Sequence, residues 1–222
     1  MNKKYPKKNH VTEPNIISKY YFNFMKNKII EVGNFHEKKN VLDYGCGTGD
    51  LKKLKDIDNT EVTLRVHDAC LNSDCFRGTI CTCAPYLFWS IEKAIETAQR
   101  GGVGFVFYFK KEGRSLGEVI KFRVYSAREG QDGGDSSENY FDKTTEIAGI
   151  EDIRFQEVMP DALLWLGINK IDHLYSMSNV KYDALVDAGI KVHHRHEIPK
   201  ECISKDAHVE IAAKIKSGYF SK

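Results

Sequence analysis

Among the six cysteines of this 222-residue chain, three have the spacing of a metal site. Ten residues separate Cys70 from Cys81, and one separates Cys81 from Cys83. On extended backbone, two cysteines one residue apart can turn to one ion, and a third from a preceding loop completes three corners of a tetrahedron. Three protein ligands and one open position is the layout of a catalytic zinc site, because the open position takes the water to be activated. The spacing alone leaves a second reading open, in which these are small buried apolar side chains, since free cysteine is among the most buried residue types. Cys75 lies in the same stretch but outside the pattern, and Cys46 and Cys202 look unrelated to it.

The elements around that stretch must hold it. Thr63 to Val66 reads as a short strand leading into the cysteine loop. Tyr86 to Arg100 reads as a helix with Ile91, Ala94, Ile95 and Ala98 on one face and Gly101-Gly102 ending it. Val103 to Phe109 is a strongly apolar strand, Leu116 to Arg128 a helix, and Gly130 to Asp142 a polar loop. Pro160 to Leu166 and Lys181 to Ala188 follow as helices, with Lys170 to Tyr175 and Lys191 to His196 as strands. Strands alternating with helices predict an α/β fold, a mainly parallel or mixed sheet with flanking helices. This domain spans residues 61–222. Residues 1–60 differ in kind, being rich in Lys and Asn, with a helix expected over Ile16 to Val32 and a strand at Val41 to Tyr44.

Composition narrows the function classes. Lys plus Arg is 33 against 31 for Asp plus Glu, and a net charge of +2 implies no general affinity for nucleic acid. No apolar run is long enough to span a bilayer, and no secretory signal is visible, so a cytoplasmic protein without a membrane partner is expected. In a reducing compartment thiols serve as ligands or bystanders rather than disulfides.

Several motifs in order carry a resemblance. Arg65-Val66-His67-Asp68-Ala69-Cys70, then Cys81-Thr82-Cys83, resembles the zinc-site segment of the GTP cyclohydrolase II family. Glu112-Gly113-Arg114 within Tyr108 to Gly117 resembles its substrate-contacting loop. Lys121 to Tyr125, and Asp152-Ile153-Arg154 ahead of Leu166-Gly167-Ile168, continue the likeness over the last two-thirds of the chain. The segments Ile80 to Tyr86, Met159 to Gly167, Ser176 to Asn179 and Val209 to Phe220 look closest to the family's uracil-catabolism branch.

The resemblance implies a hydrolase that opens the base ring of a nucleotide. Cys70, Cys81 and Cys83 would hold Zn2+, and Tyr125 would assist attack on the ring. Asp152 and Arg154 would act as base and as the arginine acting at phosphate. Arg65, His67, Asp68, Tyr86, Glu112, Gly113 and Arg114 would bind substrate, joined by Ser176 and Lys181. Relatives suggest a homodimer. Taken singly, Arg114 and Arg154 read as surface ion-pair partners, Tyr125 as core and Asp152 as a cap.

Two features depart from the family. Tyr86 stands where guanine-specific relatives carry a glutamine, whose amide can pair with a purine edge as a phenol cannot. That favours a uridine nucleotide over GTP. Val41 to Asp50, VLDYGCGTGD, resembles motif I of S-adenosylmethionine methyltransferases, with no room for the rest of such a domain before Thr63. His194 and His196 share a strand face and read as a polar strand end. Three functions remain in competition: a zinc cyclohydrolase (of uracil catabolism, or of riboflavin biosynthesis acting on GTP), a non-catalytic zinc-binding homologue, and a methyltransferase remnant.

Overall fold

The described residues, 57–154 and 156–221, of the computed structural model form four strands and six α-helices. The strands are β1 (Val62–Ala69), β2 (Val103–Glu112), β3 (Lys170–Tyr175) and β4 (Lys191–His196). They pair in the order β2-β1-β3-β4, and every pairing is parallel. The helices are α1 (Cys83–Gln99), α2 (Glu118–Glu129), α3 (Tyr140–Ala148), α4 (Asp161–Leu166), α5 (Asn179–Asp187) and α6 (His208–Lys216). This is the expected α/β architecture, a sheet flanked by helices. No helix among the described residues is long and apolar enough to cross a membrane.

The central strand β1 is buried on both faces, as parallel strands between helix layers must be. Val62, Leu64 and Val66 enter a core with Leu163, Leu166, Ile171, Leu174 and Leu185. The alternate residues Thr63, Arg65 and His67 are also buried, and the Thr63 hydroxyl pairs with that of Thr97 on α1 at 2.7 Å. Helix α1 runs so close to β2 that a Cβ on Gly104 would lie 2.4 Å from the Ala94 carbonyl oxygen, so no larger residue fits there.

The strand order marks a candidate position for a ligand. The chain leaves β1 for a neighbour on one side, β2, and later returns to its other side with β3. Beside such a switch point the carboxyl ends of the strands open a crevice, the usual ligand position in open parallel sheets. The ends of β1 and β3 carry His67, Asp68 and Ser176.

Several expected boundaries shift. β1 continues to Ala69 and β2 to Glu112, while α1 begins at Cys83. The buried face of α1 is Leu87, Ser90, Ala94 and Thr97, and Ile95 is 43% exposed, contrary to the expected apolar stripe. Helix α3 begins within the segment read as loop, and α6 carried no expectation of a helix. The predicted helix at Ile16 to Val32 and the glycine motif Val41 to Asp50 lie outside the described residues.

Candidate active site

The three cysteines come together. Their sulfur atoms all lie within 4.8 Å of one another, with Cys70 and Cys81 3.7 Å apart. Two thiolates bound tetrahedrally about 2.3 Å from one zinc lie about 3.8 Å apart, so the observed spacing fits a shared ion. Among the described residues this is the one such group of three His, Cys, Asp or Glu ligands. Cys70 follows β1, Cys81 lies in the turn before α1, and Cys83 is the first residue of α1. Side chains held by a strand end and a helix start keep their places. Crowding by Cys70, together with burial, pushes the Cys81 thiol up to about 11. A bound metal cation displaces the proton of such a thiol, so three converging sulfurs make a soft metal donor set.

Lys121 on α2 stands nearby, 13% exposed and 3.4 Å from Glu112. Burial opposes its charge, but Cys83, Cys70 and Glu112 hold its ammonium above the usual lysine value. From the other side, Glu210 on α6 accepts from the Thr82 amide at 3.2 Å and pairs with Lys214. Helix α6 thereby pins the Cys81-Thr82-Cys83 turn from 128 residues away.

At the end of β1 the side chains form a network. The Arg65 Nη1 donates to the Tyr175 carbonyl at 2.8 Å, and its Nη2 to His67 Nδ1 at 3.2 Å. Arginine only donates, so His67 Nδ1 is the acceptor and its Nε2–H faces Asp74 at 3.1 Å. Burial lowers the His67 imidazole to about 4, so it is neutral at pH 7. The same Asp74 oxygen accepts from the Tyr108 hydroxyl at 2.7 Å and the Cys70 amide at 2.9 Å. Asp74 therefore ties the first thiol to the strand end.

Asp68, on the opposite face of β1, pairs with Lys111 at 2.6 Å and Lys181 at 2.8 Å. Burial pulls the Lys181 ammonium down to about 8 against the attraction of Asp68. Its Nζ also donates to the Val66 carbonyl at 3.0 Å. Ser176 Oγ accepts from the Ser178 amide at 3.2 Å, shaping the start of α5.

The loop after β2 is organised by Glu112, whose carboxylate accepts from the Arg114 and Leu116 amides at 3.2 Å. Ser115 within it has φ +62, strained for a residue with a side chain. The Arg114 guanidinium lies 4.3 Å from the Phe141 ring centre. Asp152 accepts from the Arg154 amide and Nε at 2.9 Å, so it caps a turn and pairs with that arginine. Tyr86 donates its hydroxyl to the His196 carbonyl, and the Arg65 guanidinium sits 4.1 Å above its ring.

One cavity unites these groups. Cys81, Cys83, Tyr125, Arg65, His67, Asp68, Tyr86, Glu112, Gly113, Arg114, Arg154, Ser176 and Lys181 all line it. Cys70 and Asp152 stand just behind, holding Cys81 and Arg154 respectively. The cavity also takes Lys121, Arg128, Tyr140, Glu210 and Lys214, which local spacing did not single out. His194 and His196 lie apart from it: His196 Nε2 meets His173 Nδ1 at 3.0 Å, and His194 stacks on His173.

Thiols line one wall and guanidinium and ammonium groups another, a donor set suited to a metal ion beside an anion. Residues 38–197 match the family described as GTP cyclohydrolase II. The chain belongs to the GTP cyclohydrolase II family. It is 56% identical over 161 residues to uracil-regulated protein 1 of Schizosaccharomyces pombe, which covers 72% of this chain and 36% of that protein. It is 30% identical over 162 residues to the GTP cyclohydrolase-2 of Shewanella frigidimarina, 72% of this chain and 73% of the relative. A further GTP cyclohydrolase-2, from Buchnera aphidicola, is 29% identical over 175 residues, covering 78% and 81%. The chain thus spans little more than a third of the length of its uracil-regulated relative.

Proposed function

We propose that this chain is a zinc-dependent hydrolase that opens the base ring of a uridine nucleotide. The observation that carries the reading is the convergence of three thiols within 4.8 Å, two of them lining a cavity whose other walls bear Arg65, Arg114, Arg154 and Lys181. Cys70, Cys81 and Cys83 would hold the ion, and zinc when bound supplies Lewis acidity toward water and carbonyl oxygen.

The chain's own residues supply the rest. Lys121 balances negative charge at the thiols. Burial raises the Tyr125 phenol well above its ordinary value, so it keeps its proton and can donate to an oxygen gaining charge. Arg114 and Arg154 suit phosphate, because a guanidinium fork matches its oxygens. Lys181, neutralised in part by Asp68, offers a point charge at the switch point. Hydrolysis adds one water across a ring C–N bond at a carbonyl carbon: the hydroxyl goes to that carbon, the hydrogen to the departing nitrogen as a neutral N–H, and the carboxylic acid formed releases its proton to solvent.

Two observations favour a pyrimidine. The Tyr86 hydroxyl is engaged by the His196 carbonyl, so it offers no amide-like pair of donor and acceptor to a purine edge. The 56%-identical relative is named for its regulation by uracil. A homodimer and a cytoplasmic setting belong to the same reading. The test is a panel of UMP, UDP, UTP and GTP with zinc-loaded protein, read by mass spectrometry. A uridine nucleotide should gain the mass of one water. Turnover of GTP alone would return the chain to the guanine-specific reaction, and silence on all four would favour a non-catalytic homologue.

A further inference from the structure

None of the roles above falls to Arg128, in the last turn of α2, although it is 1% exposed and lines the cavity. Its Nε donates to Asp135 Oδ1 at 3.0 Å and its Nη2 to Asp135 Oδ2, so one edge of the guanidinium is committed to a carboxylate. The Tyr140 ring lies 4.2 Å from the guanidinium carbon and the Tyr125 ring 5.6 Å from it. These contacts hold the fork in one orientation. The remaining nitrogen, Nη1, is buried and has no hydrogen-bond partner among the described residues. A buried donor left unpaired is costly, so its natural acceptor arrives with the ligand.

The surroundings define that acceptor. Asp135 already balances the charge of Arg128, and Glu210 adds a further negative field. An anion therefore gains less here than beside Arg114 or Arg154. A neutral oxygen suits the position better. Tyr125, which touches the thiol cluster, is also a neighbour of Arg128, so that oxygen would sit near the reacting end of the cavity.

We propose that Arg128 is a base-binding residue whose Nη1 donates to a carbonyl oxygen of the substrate's base. The inference rests on the nucleotide reading of the cavity, though not on which base is bound, since uracil and guanine both carry ring carbonyls. Asp135 and Tyr140 are its positioning residues.

The test is calorimetric titration of the full chain and of Arg128→Met and Arg128→Lys, with UMP, GTP and ribose 5-phosphate as probes. Arg128→Lys keeps a cation opposite Asp135 and so preserves the fold if the methionine variant does not. Nucleotide affinity should fall about tenfold to a hundredfold in either variant, the loss of one charge-assisted hydrogen bond. Affinity for ribose 5-phosphate should stay within about twofold, because that probe lacks the base. Unchanged nucleotide affinity, or a parallel loss for ribose 5-phosphate, overturns the proposal. Wild-type protein that binds GTP and not UMP sinks the uridine reading alone, because the same variants then report on the carbonyl contact through GTP.

Discussion

Lys181 carries a charge into a place with little water, and this has a measurable cost. Its side chain is 8% exposed, and its ammonium is lowered from 10.5 to about 8. Below pH 8 the group is charged in both folded and unfolded chains. Between pH 8 and 10.5 the unfolded chain holds more protons, so stability rises with pH across that window. Above 10.5 the contribution is level. The gap of about 2.5 pH units, at about 1.36 kcal/mol each, amounts to about 3 kcal/mol. Urea unfolding of wild type and Lys181→Met at intervals from pH 7 to 11 isolates the effect, since other titrating groups cancel in the difference. Wild type should gain about 3 kcal/mol on the variant across the window. Asp68 keeps Lys111 as a partner in the variant, which limits secondary disruption. A difference that stays flat with pH would refute the claim that burial sets the charge of Lys181.

Two further substitutions probe the supports of the site. Glu210→Ala leaves Lys214 without its buried partner and the Thr82 amide without an acceptor, so a loss of about 3–5 kcal/mol in chemical denaturation is expected. The same change should weaken zinc by about tenfold to a hundredfold in chelator competition, as loss of an outer-shell support does. Tyr86→Phe removes only the bond to the His196 carbonyl, so it should cost about 1 kcal/mol and leave nucleotide affinity intact. A large fall in nucleotide affinity would show that the Tyr86 hydroxyl meets the ligand.

Much of the site was legible because it follows local rules. The strands Lys170 to Tyr175 and Lys191 to His196 match β3 and β4 residue for residue, each being a short run bounded by turn residues. The cysteine spacing alone left a buried apolar reading open and the family resemblance grouped the three thiols, which come together because a strand end and a helix start fall where the motif needs them. Residues whose roles come from distant packing stayed hidden. Glu210 meets Thr82 across 128 residues, and nothing in the spacing of either announces the contact. Asp74 reads as an ordinary loop carboxylate until His67, Tyr108 and Cys70 are seen to share one of its oxygens. Helix α3 sets Tyr140, Phe141, Thr144, Ile147 and Ala148 on one face, but that stripe covers only nine residues and its Gly- and Ser-rich approach reads as loop. Arg128 could be taken for a helix-end cation, which it resembles in sequence.

Metal content bears most directly on the central claim that Cys70, Cys81 and Cys83 form a zinc centre. Plasma mass spectrometry of the purified chain, beside Cys70→Ser, Cys81→Ser and Cys83→Ser, measures it without reference to any substrate. About one zinc per wild-type chain is expected, falling to a small fraction in each variant. Stoichiometric zinc surviving in all three variants, or wild type that takes up none when zinc is supplied, would contradict it.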